Sequence, residues 1–330
     1  FFKVYTPMWN SVRGRDVPAP LPEPAIVTAP EAFPASDNLA DWRLGRQMRR
    51  GGAIVAGYAR VGAAKAMARL EEFTNGGLRD YRANRDIPGE DGTSKLAENL
   101  ALGEITPAQC WHAGQAELER GNPGAETFLK ELVWREFAYH LLHHTPQILN
   151  QNWKPAWDAF PWSEDSNSRN FTAWKMGQTG LEFIDAAMRE LYVTGTMHNR
   201  GRMIVASYLT KHLMTHWRLG QAWFEDCLID WDPASNAMGW QWAAGSGPDA
   251  APYFRVFNPE SQIEKFDADR RYRRTWIAEG QQAPPDTALQ FYAASPVSWN
   301  LSPKTAYPQP IVTAKKGREI ALSYYQSRAF

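Results

Sequence analysis

The segment from Met203 to Trp217, MIVASYLTKHLMTHW, constrains the fold more than any other stretch. It is apolar nearly all round at helical spacing, so no face of it suits water and it needs neighbours on every side. That predicts a buried central helix over 203–217 with other helices wrapped around it. Helical punctuation recurs elsewhere. Ala63 to Phe73 is rich in good helix formers. Thr106-Pro107-Ala108-Gln109 reads as an N-cap, a first-turn Pro and a capping-box Gln. Asn122-Pro123 opens a helix through TFLKELVWREFAYHLL. Thr179-Gly180-Leu181-Glu182 reads as a second capping box, followed by Leu181, Ile184, Met188 and Leu191 on one face and a stop at Gly195. Thr313 to Arg328 reads as a closing helix. No useful strand alternation, repeat or low-complexity tract is found. The expected class is mainly α. Residues 51–330 read as one helical unit. Residues 1–50, with Pro18, Pro20, Pro22, Pro24, Pro30 and Pro34, read as an irregular Pro-rich connector.

Composition bounds the function. Lys plus Arg is 36 and Asp plus Glu is 36, which argues against a uniformly basic surface but leaves room for a local basic groove. No apolar run approaches the ~18–20 residues of a membrane span. Two cysteines, Cys110 and Cys227, cannot build a disulfide framework or a four-cysteine metal cluster, so a cytoplasmic setting is expected. The first residues lack both signal-peptide features and an initiating Met, so the chain reads as cut from something longer. Fifteen Trp are many to place in a core, because each indole N–H wants a partner. The excess suggests stacking or electron transfer; an aromatic core is the plainer account.

Several stretches carry candidate chemistry. Gly57-x4-Gly62-Ala63-Ala64-Lys65 fails as a phosphate loop, because Lys does not follow the second Gly directly. His140, His143 and His144 lie within about a helical turn, with nothing obvious to complete a zinc set. Gly92-Thr93-Ser94-Lys95-Leu96 offers hydroxyls, a cation and turn N–H groups for a phosphate, although an ordinary turn before a helix looks the same. Glu131, Trp134 and Arg135 share one helix face, as a ligand site or as a surface ion pair beside a stray Trp. Met197-His198-Asn199-Arg200-Gly201-Arg202-Met203 is dense in polar groups, and Asp230 and Asp232 are the obvious partners for its cations. Asn236, Trp240, Gln241, Trp242, Gly245, Gly247, Asp249, Tyr253, Arg255 and Asn258 then follow, which suits a ligand cavity or a satisfied polar core.

These residues carry a likeness to a known family. The run WKMGQTGLEFIDAAMRELYVTGTMHNRGRMIVASYL … LIDWDPASNAMGWQWAAGSGPDAAPYFRVFNPESQIEKF, from Trp174 to Phe266, resembles the photolyase/cryptochrome flavoproteins, most of all the class I cyclobutane-pyrimidine-dimer DNA photolyases. GTSKL, ELVWREF and YPQPIV match in the same order, so the likeness covers essentially the whole chain. FFKVYTPMW resembles the segment after the family's N-terminal antenna domain, so no antenna chromophore is expected on this stretch of chain.

The resemblance implies an all-helical domain binding FAD, active in its reduced form, and light-dependent repair of ultraviolet-damaged DNA. By matching position, Tyr81, Thr93, Ser94, Lys95, Leu96, Ala97 and Phe128 would hold or flank the cofactor. Arg202, Asp230, Trp231, Asp232 and Asn236 would line its flavin end. The damaged-base pocket would be Glu131, Trp134, Asn199, Met203 and Trp242, with Asn236 facing the flavin. Arg85, Arg135, Arg200 and Arg255 would contact DNA, and Trp162, Trp217 and Trp240 would relay electrons. The implied protein is a monomeric, metal-free cytoplasmic enzyme, associated with the nucleoid when bound to damage.

Departures from the family pattern are Lys95 for Arg, Ala97-Glu98 for Ser-Pro, Thr196 for Trp and Ala237-Met238 for Asn-Gly. A cryptochrome-like photoreceptor without repair is the main alternative, and the intact Glu131, Trp134 and Trp242 speak against it. A (6-4) enzyme fits less well: eukaryotic members carry a His pair where His198-Asn199 stands, and bacterial ones bind an iron–sulfur cluster that two cysteines cannot ligate. A non-catalytic nucleic-acid binder would be colourless.

Overall fold

The computed structural model describes residues 1–44, 51–249 and 255–328; Tyr253 and residues 45–50 of the expected connector lie outside them. Among the described residues helix follows helix without a sheet, and strand-like pairing is limited to a parallel bridge between Ser163 and Thr215. None of these helices is long and apolar enough to cross a membrane.

Local chemistry explains several boundaries. Thr106 Oγ1 accepts from Gln109 N (3.2 Å) while Gln109 Oε1 accepts from Thr106 N (2.8 Å), so the capping box opens Pro107–Glu119 as expected. Asn122 Oδ1 accepts from Gly124 N at 3.1 Å just before the long helix Ala125–His144. Glu182–Thr194 ends on Gly195 at φ +69°, where a side chain would be strained.

Two apolar cores result. One is centred on Trp174, Phe183, Tyr208 and Trp217; the other gathers Leu78, Leu96, Phe128 and Phe137. Each such burial contributes about 2 kcal/mol. The helix Pro233–Ala244 joins them, giving Ala237 to one core and Trp240, Ala243 and Ala244 to the other.

Three local expectations are corrected. Tyr208, Leu209 and Trp217 are wholly buried, as the central segment requires, yet the segment is not one helix. It runs as Asn199–Ser207, a π-helical turn Tyr208–His212, and a new helix Trp217–Cys227. The break is tertiary: Met214 turns to φ +48°, its O accepts from Ser163 N (2.8 Å), and His216 N donates to Ser163 O (2.9 Å). Thr179 does not cap with Glu182. Its hydroxyl donates to the buried Asp185 carboxylate (2.7 Å), and the N-cap is Leu181. Finally, residues 5–12 are not irregular. Tyr5–Val12 is a helix that buries Tyr5, Met8 and Trp9. From Arg13 to Asn38 the chain carries no helix, in keeping with its prolines.

Candidate active site

The helices Ala125–His144, Asn199–Ser207, Trp217–Cys227 and Pro233–Ala244 bound a cavity of about 530 Å³. That size suits an organic ligand, since such sites run ~300–1,000 Å³.

One wall comes from Ala125–His144. Its Leu129, Leu132, Val133 and Phe137 turn into the core, which leaves Glu131 and Trp134, one turn apart, for the cavity. Arg85 Nη1 donates to Glu131 Oε1, and the Arg85 guanidinium lies 5.4 Å from the Tyr81 ring centre. Burial would lower the Arg85 pKa, but the hydrogen bond and charge of Glu131 outweigh it and raise it. Asn199, Met203 and Trp242 also line the cavity. Asn199 and Met203 are successive turns of one helix, with Nδ2 3.8 Å from Sδ.

Arg202, Asp230, Trp231, Asp232, Asn236 and Trp240 line the inner end. Arg202 Nη2 donates to Asp230 Oδ2 at 2.6 Å and its Nε to Met197 O at 2.8 Å. Asp232 caps the helix Pro233–Ala244 by accepting from Ser235 N (2.7 Å), and its other oxygen accepts from Tyr139 OH. Burial, then that bond, pushes the Tyr139 phenol up to about 12. Asn236 Nδ2 donates to Gln221 O at 3.2 Å.

The donor set leaves room for a ligand. Asp230 Oδ1, Trp231 Nε1 and Trp240 Nε1 are buried on cavity residues without a hydrogen-bond partner among the described residues. An unpaired buried polar group costs ~1–3 kcal/mol. A bound molecule with polar edges can restore that cost. Trp240 also packs edge-on against Phe224 (4.9 Å) and Trp174 (6.0 Å).

Several other expected site residues lie outside this lining. Tyr81 and Phe128 pack together edge-on at 6.2 Å in the second core. In the turn of Thr93, Ser94, Lys95, Leu96 and Ala97, Leu96 is buried, Ala97 starts a helix and Lys95 pairs with Asp91 at 2.6 Å. This turn lies against the end of the short helix Tyr81–Asn84, since a Cβ on Gly92 would sit 2.7 Å from Asn84 O; the next residue, Arg85, reaches the cavity. Glu98, one of the departures, is buried in an ion pair with Arg69 at 3.0 Å, which accounts for a carboxylate there. Met238, another departure, lines the cavity. Arg255 lies on the rim, exposed. Arg135 pairs with Glu136 (3.0 Å) and covers the Tyr139 ring; Arg200 pairs with Asp86 (2.7 Å) and covers Phe266.

Trp162 and Trp217 are buried away from the lining and joined through His216, at centroid distances of 5.3 and 5.4 Å. Their N–H groups are satisfied by Thr210 O and Asn152 Oδ1, both at 2.8 Å. The helix of Trp217 reaches Trp240 at Gly220, where an added Cβ would lie 2.1 Å from that indole.

Sequence reasoning missed Tyr139, Glu190 and Tyr5. Tyr139 stands four residues after Arg135, a helical neighbour spacing that could have exposed it. Glu190 is partly buried, and its Oε2 accepts from Tyr272 OH and from His198 N (3.3 Å). Burial first pushes its carboxyl up to about 7, against the Arg202 and Lys95 charges. Tyr5 stacks on Trp134, and no local pattern marks it.

Comparison with known proteins identifies the family. A family model described as the FAD binding domain of DNA photolyase matches residues 128–327. A deoxyribodipyrimidine photo-lyase of Agrobacterium fabrum is 44% identical over 98% of this chain and 68% of its own length. The crystal structure of a bacterial class III photolyase from Agrobacterium tumefaciens superposes with a TM-score of 0.87 at 42% identity, covering 99% of this chain and 68% of the other. A cryptochrome structure from Synechocystis gives 0.69 at 35% identity, over 81% and 56% of the two chains. The motif likeness runs to class I and this structural likeness to class III; the photolyase/cryptochrome family is common to both.

Proposed function

This chain belongs to the photolyase/cryptochrome family, and from that membership we propose how its residues divide the work of light-dependent DNA repair. The chain is a deoxyribodipyrimidine photo-lyase: it binds FAD and splits cyclobutane pyrimidine dimers in ultraviolet-damaged DNA. When bound in reduced form, FAD supplies the light-driven electron that opens the cyclobutane ring.

Arg202 and Asp230 orient the flavin end, and Asp230 Oδ1 with the Trp231 and Trp240 indoles offers it polar contacts that the protein leaves open. Asn236 supplies a neutral amide beside it. Tyr81, Phe128 and the turn from Thr93 to Ala97 serve its remainder. Trp134 and Trp242 take a flipped-out dimer between aromatic surfaces, while Asn199 and Met203 line the same cavity. Glu131 accepts from the dimer's polar edge, and the Arg85 cation paired with it favours the negative charge that develops there. Arg85, Arg135, Arg200 and Arg255 meet phosphates, so affinity falls with salt. Each of the first three already holds a carboxylate, which DNA must share or displace. Trp162, Trp217 and Trp240 relay electrons that keep the cofactor reduced. Tyr5–Val12 counts with the catalytic unit, the connector being residues 13–50. The protein acts as a monomer on the nucleoid.

One observation carries this reading: Glu131, Trp134, Asn199, Met203 and Trp242 share a single cavity with Arg202, Asp230, Asn236 and Trp240. The test is a repair assay. FAD-loaded, chemically reduced protein is mixed with ultraviolet-damaged oligothymidylate without oxygen and lit with blue light. Light-dependent recovery of the bases' ultraviolet absorbance is expected. No recovery with flavin bound moves the chain to the photoreceptor side of its family.

A further inference from the structure

The helix Tyr5–Val12 is distant in sequence from the cavity, yet its Tyr5 touches two of the lining residues, Trp134 and Asp249. The Tyr5 ring lies 3.7 Å, centroid to centroid, from the Trp134 indole at an interplanar angle of 5°. Tyr5 OH donates to Lys130 O at 2.8 Å, one turn before Trp134 on the same helix. Phe137 meets both rings edge-on, at 5.8 Å from Trp134 and 6.0 Å from Tyr5. The Tyr5 backbone is tied as well. Its N–H donates to Asp249 Oδ1 at 3.2 Å, and Asp249 N donates to Lys3 O at 3.1 Å. Asp249 also lines the cavity and sits at φ +58°, a conformation that needs outside support.

We infer that Tyr5 is a positioning residue for damaged-base binding: it backs one face of Trp134 and so fixes the plane that the other face presents to the dimer. The inference rests on Trp134 being a wall of the base pocket. An indole held on a single χ1–χ2 setting loses less freedom on binding than one free to swing, so removing the backing ring weakens lesion affinity without touching the cofactor end. The hydroxyl matters less than the ring, because its partner Lys130 O sits inside a helix that stands without it.

The experiment titrates flavin-loaded protein with a short duplex containing one thymine dimer, for Tyr5→Leu, Tyr5→Phe, Trp134→Ala and the Tyr5→Leu/Trp134→Ala pair. Flavin absorbance and melting temperature are read alongside. Tyr5→Leu is expected to weaken dimer affinity roughly three- to tenfold, the size of an aromatic pair, at unchanged flavin absorbance. Tyr5→Phe should stay within about twofold of the parent. In the Trp134→Ala background, Tyr5→Leu should add nothing further, since the ring it positions is gone. Full additivity in the pair, or a Tyr5→Phe loss as large as that of Tyr5→Leu, overturns the inference. If Tyr5→Leu fails to fold, Tyr5→Met takes its place with the same expectation. An unchanged affinity in Trp134→Ala alone overturns the pocket assignment itself, and this inference with it.

Discussion

Glu190 shows how one partly buried carboxyl ties the site to pH. It sits beneath the start of the helix Asn199–Ser207, accepting from His198 N, so it supports the turn that aims Asn199 and Met203. Burial pushes its carboxyl from 4.5 up to about 7. Below pH 4.5 it is protonated in both folded and unfolded chains, and its contribution is fully present. Between 4.5 and about 7 only the unfolded chain ionises, so stability falls as pH rises. By about pH 7 the loss is complete, on the order of 3 kcal/mol. Glu190→Gln keeps an acceptor for both Tyr272 OH and His198 N but cannot ionise. Relative to the parent, the variant is therefore expected to gain stability by that order between pH 4.5 and 7.5, measured by urea unfolding. A pH-independent difference would contradict the assignment.

At the scale of elements, the approach of two helices decides where the inner indole stands. Gly220, in Trp217–Cys227, faces Trp240 of Pro233–Ala244 so closely that a Cβ would lie 2.1 Å from the ring and 2.7 Å from Leu209 Cδ2. Both obstacles are side chains in a packed core and have little room to move. Gly220→Ala is expected to cost roughly 1–3 kcal/mol by overpacking and to displace Trp240. The reading is a lower melting temperature together with slower photoreduction of bound flavin. A destabilised variant with unaltered photoreduction would show that Trp240 keeps its place, or that it carries no electrons.

The whole molecule is held by polar ties that span its length. Arg189 makes a fork with Glu279, Nη1 to Oε2 at 2.7 Å and Nη2 to Oε1 at 2.9 Å, with both side chains out of water. It also donates to Gly177 O at 3.1 Å, so one guanidinium joins three distant stretches of chain. Glu279→Ala leaves that charge buried and unpaired, and a loss of roughly 3–5 kcal/mol is expected in chemical unfolding. Acid has a global effect too. Burial lowers His198, His212 and His216 from 6.5 to about 4. Their contribution is present above pH 6.5 and is lost as pH falls through 4, because the unfolded chain takes up protons first. This opposes Glu190, and three groups of similar shift outweigh one. The urea midpoint is expected to fall between pH 6.5 and 4.5, and His212→Gln should flatten that fall.

Much of this protein could be read from local pattern. Periodicity and caps gave the helical class, the start of Pro107–Glu119 at Thr106 and the end of Glu182–Thr194 at Gly195. Helical spacing alone set Glu131 beside Trp134, because neighbours three or four apart share a face wherever the helix lies. The sequence by itself thus determined the helical class, several helix boundaries and, within a helix, which side chains travel together. Tertiary structure decided the rest. The apolar run to Trp217 reports burial on both sides of the break at Met214, but the break depends on hydrogen bonds to Ser163, some fifty residues away in the chain. Thr179 turned to Asp185 rather than Glu182, Arg85 to Glu131, and Tyr5 to Trp134, each choice set by which distant atom lay within reach. A periodic pattern records that a side chain leaves water; it carries no record of the partner that replaces the water.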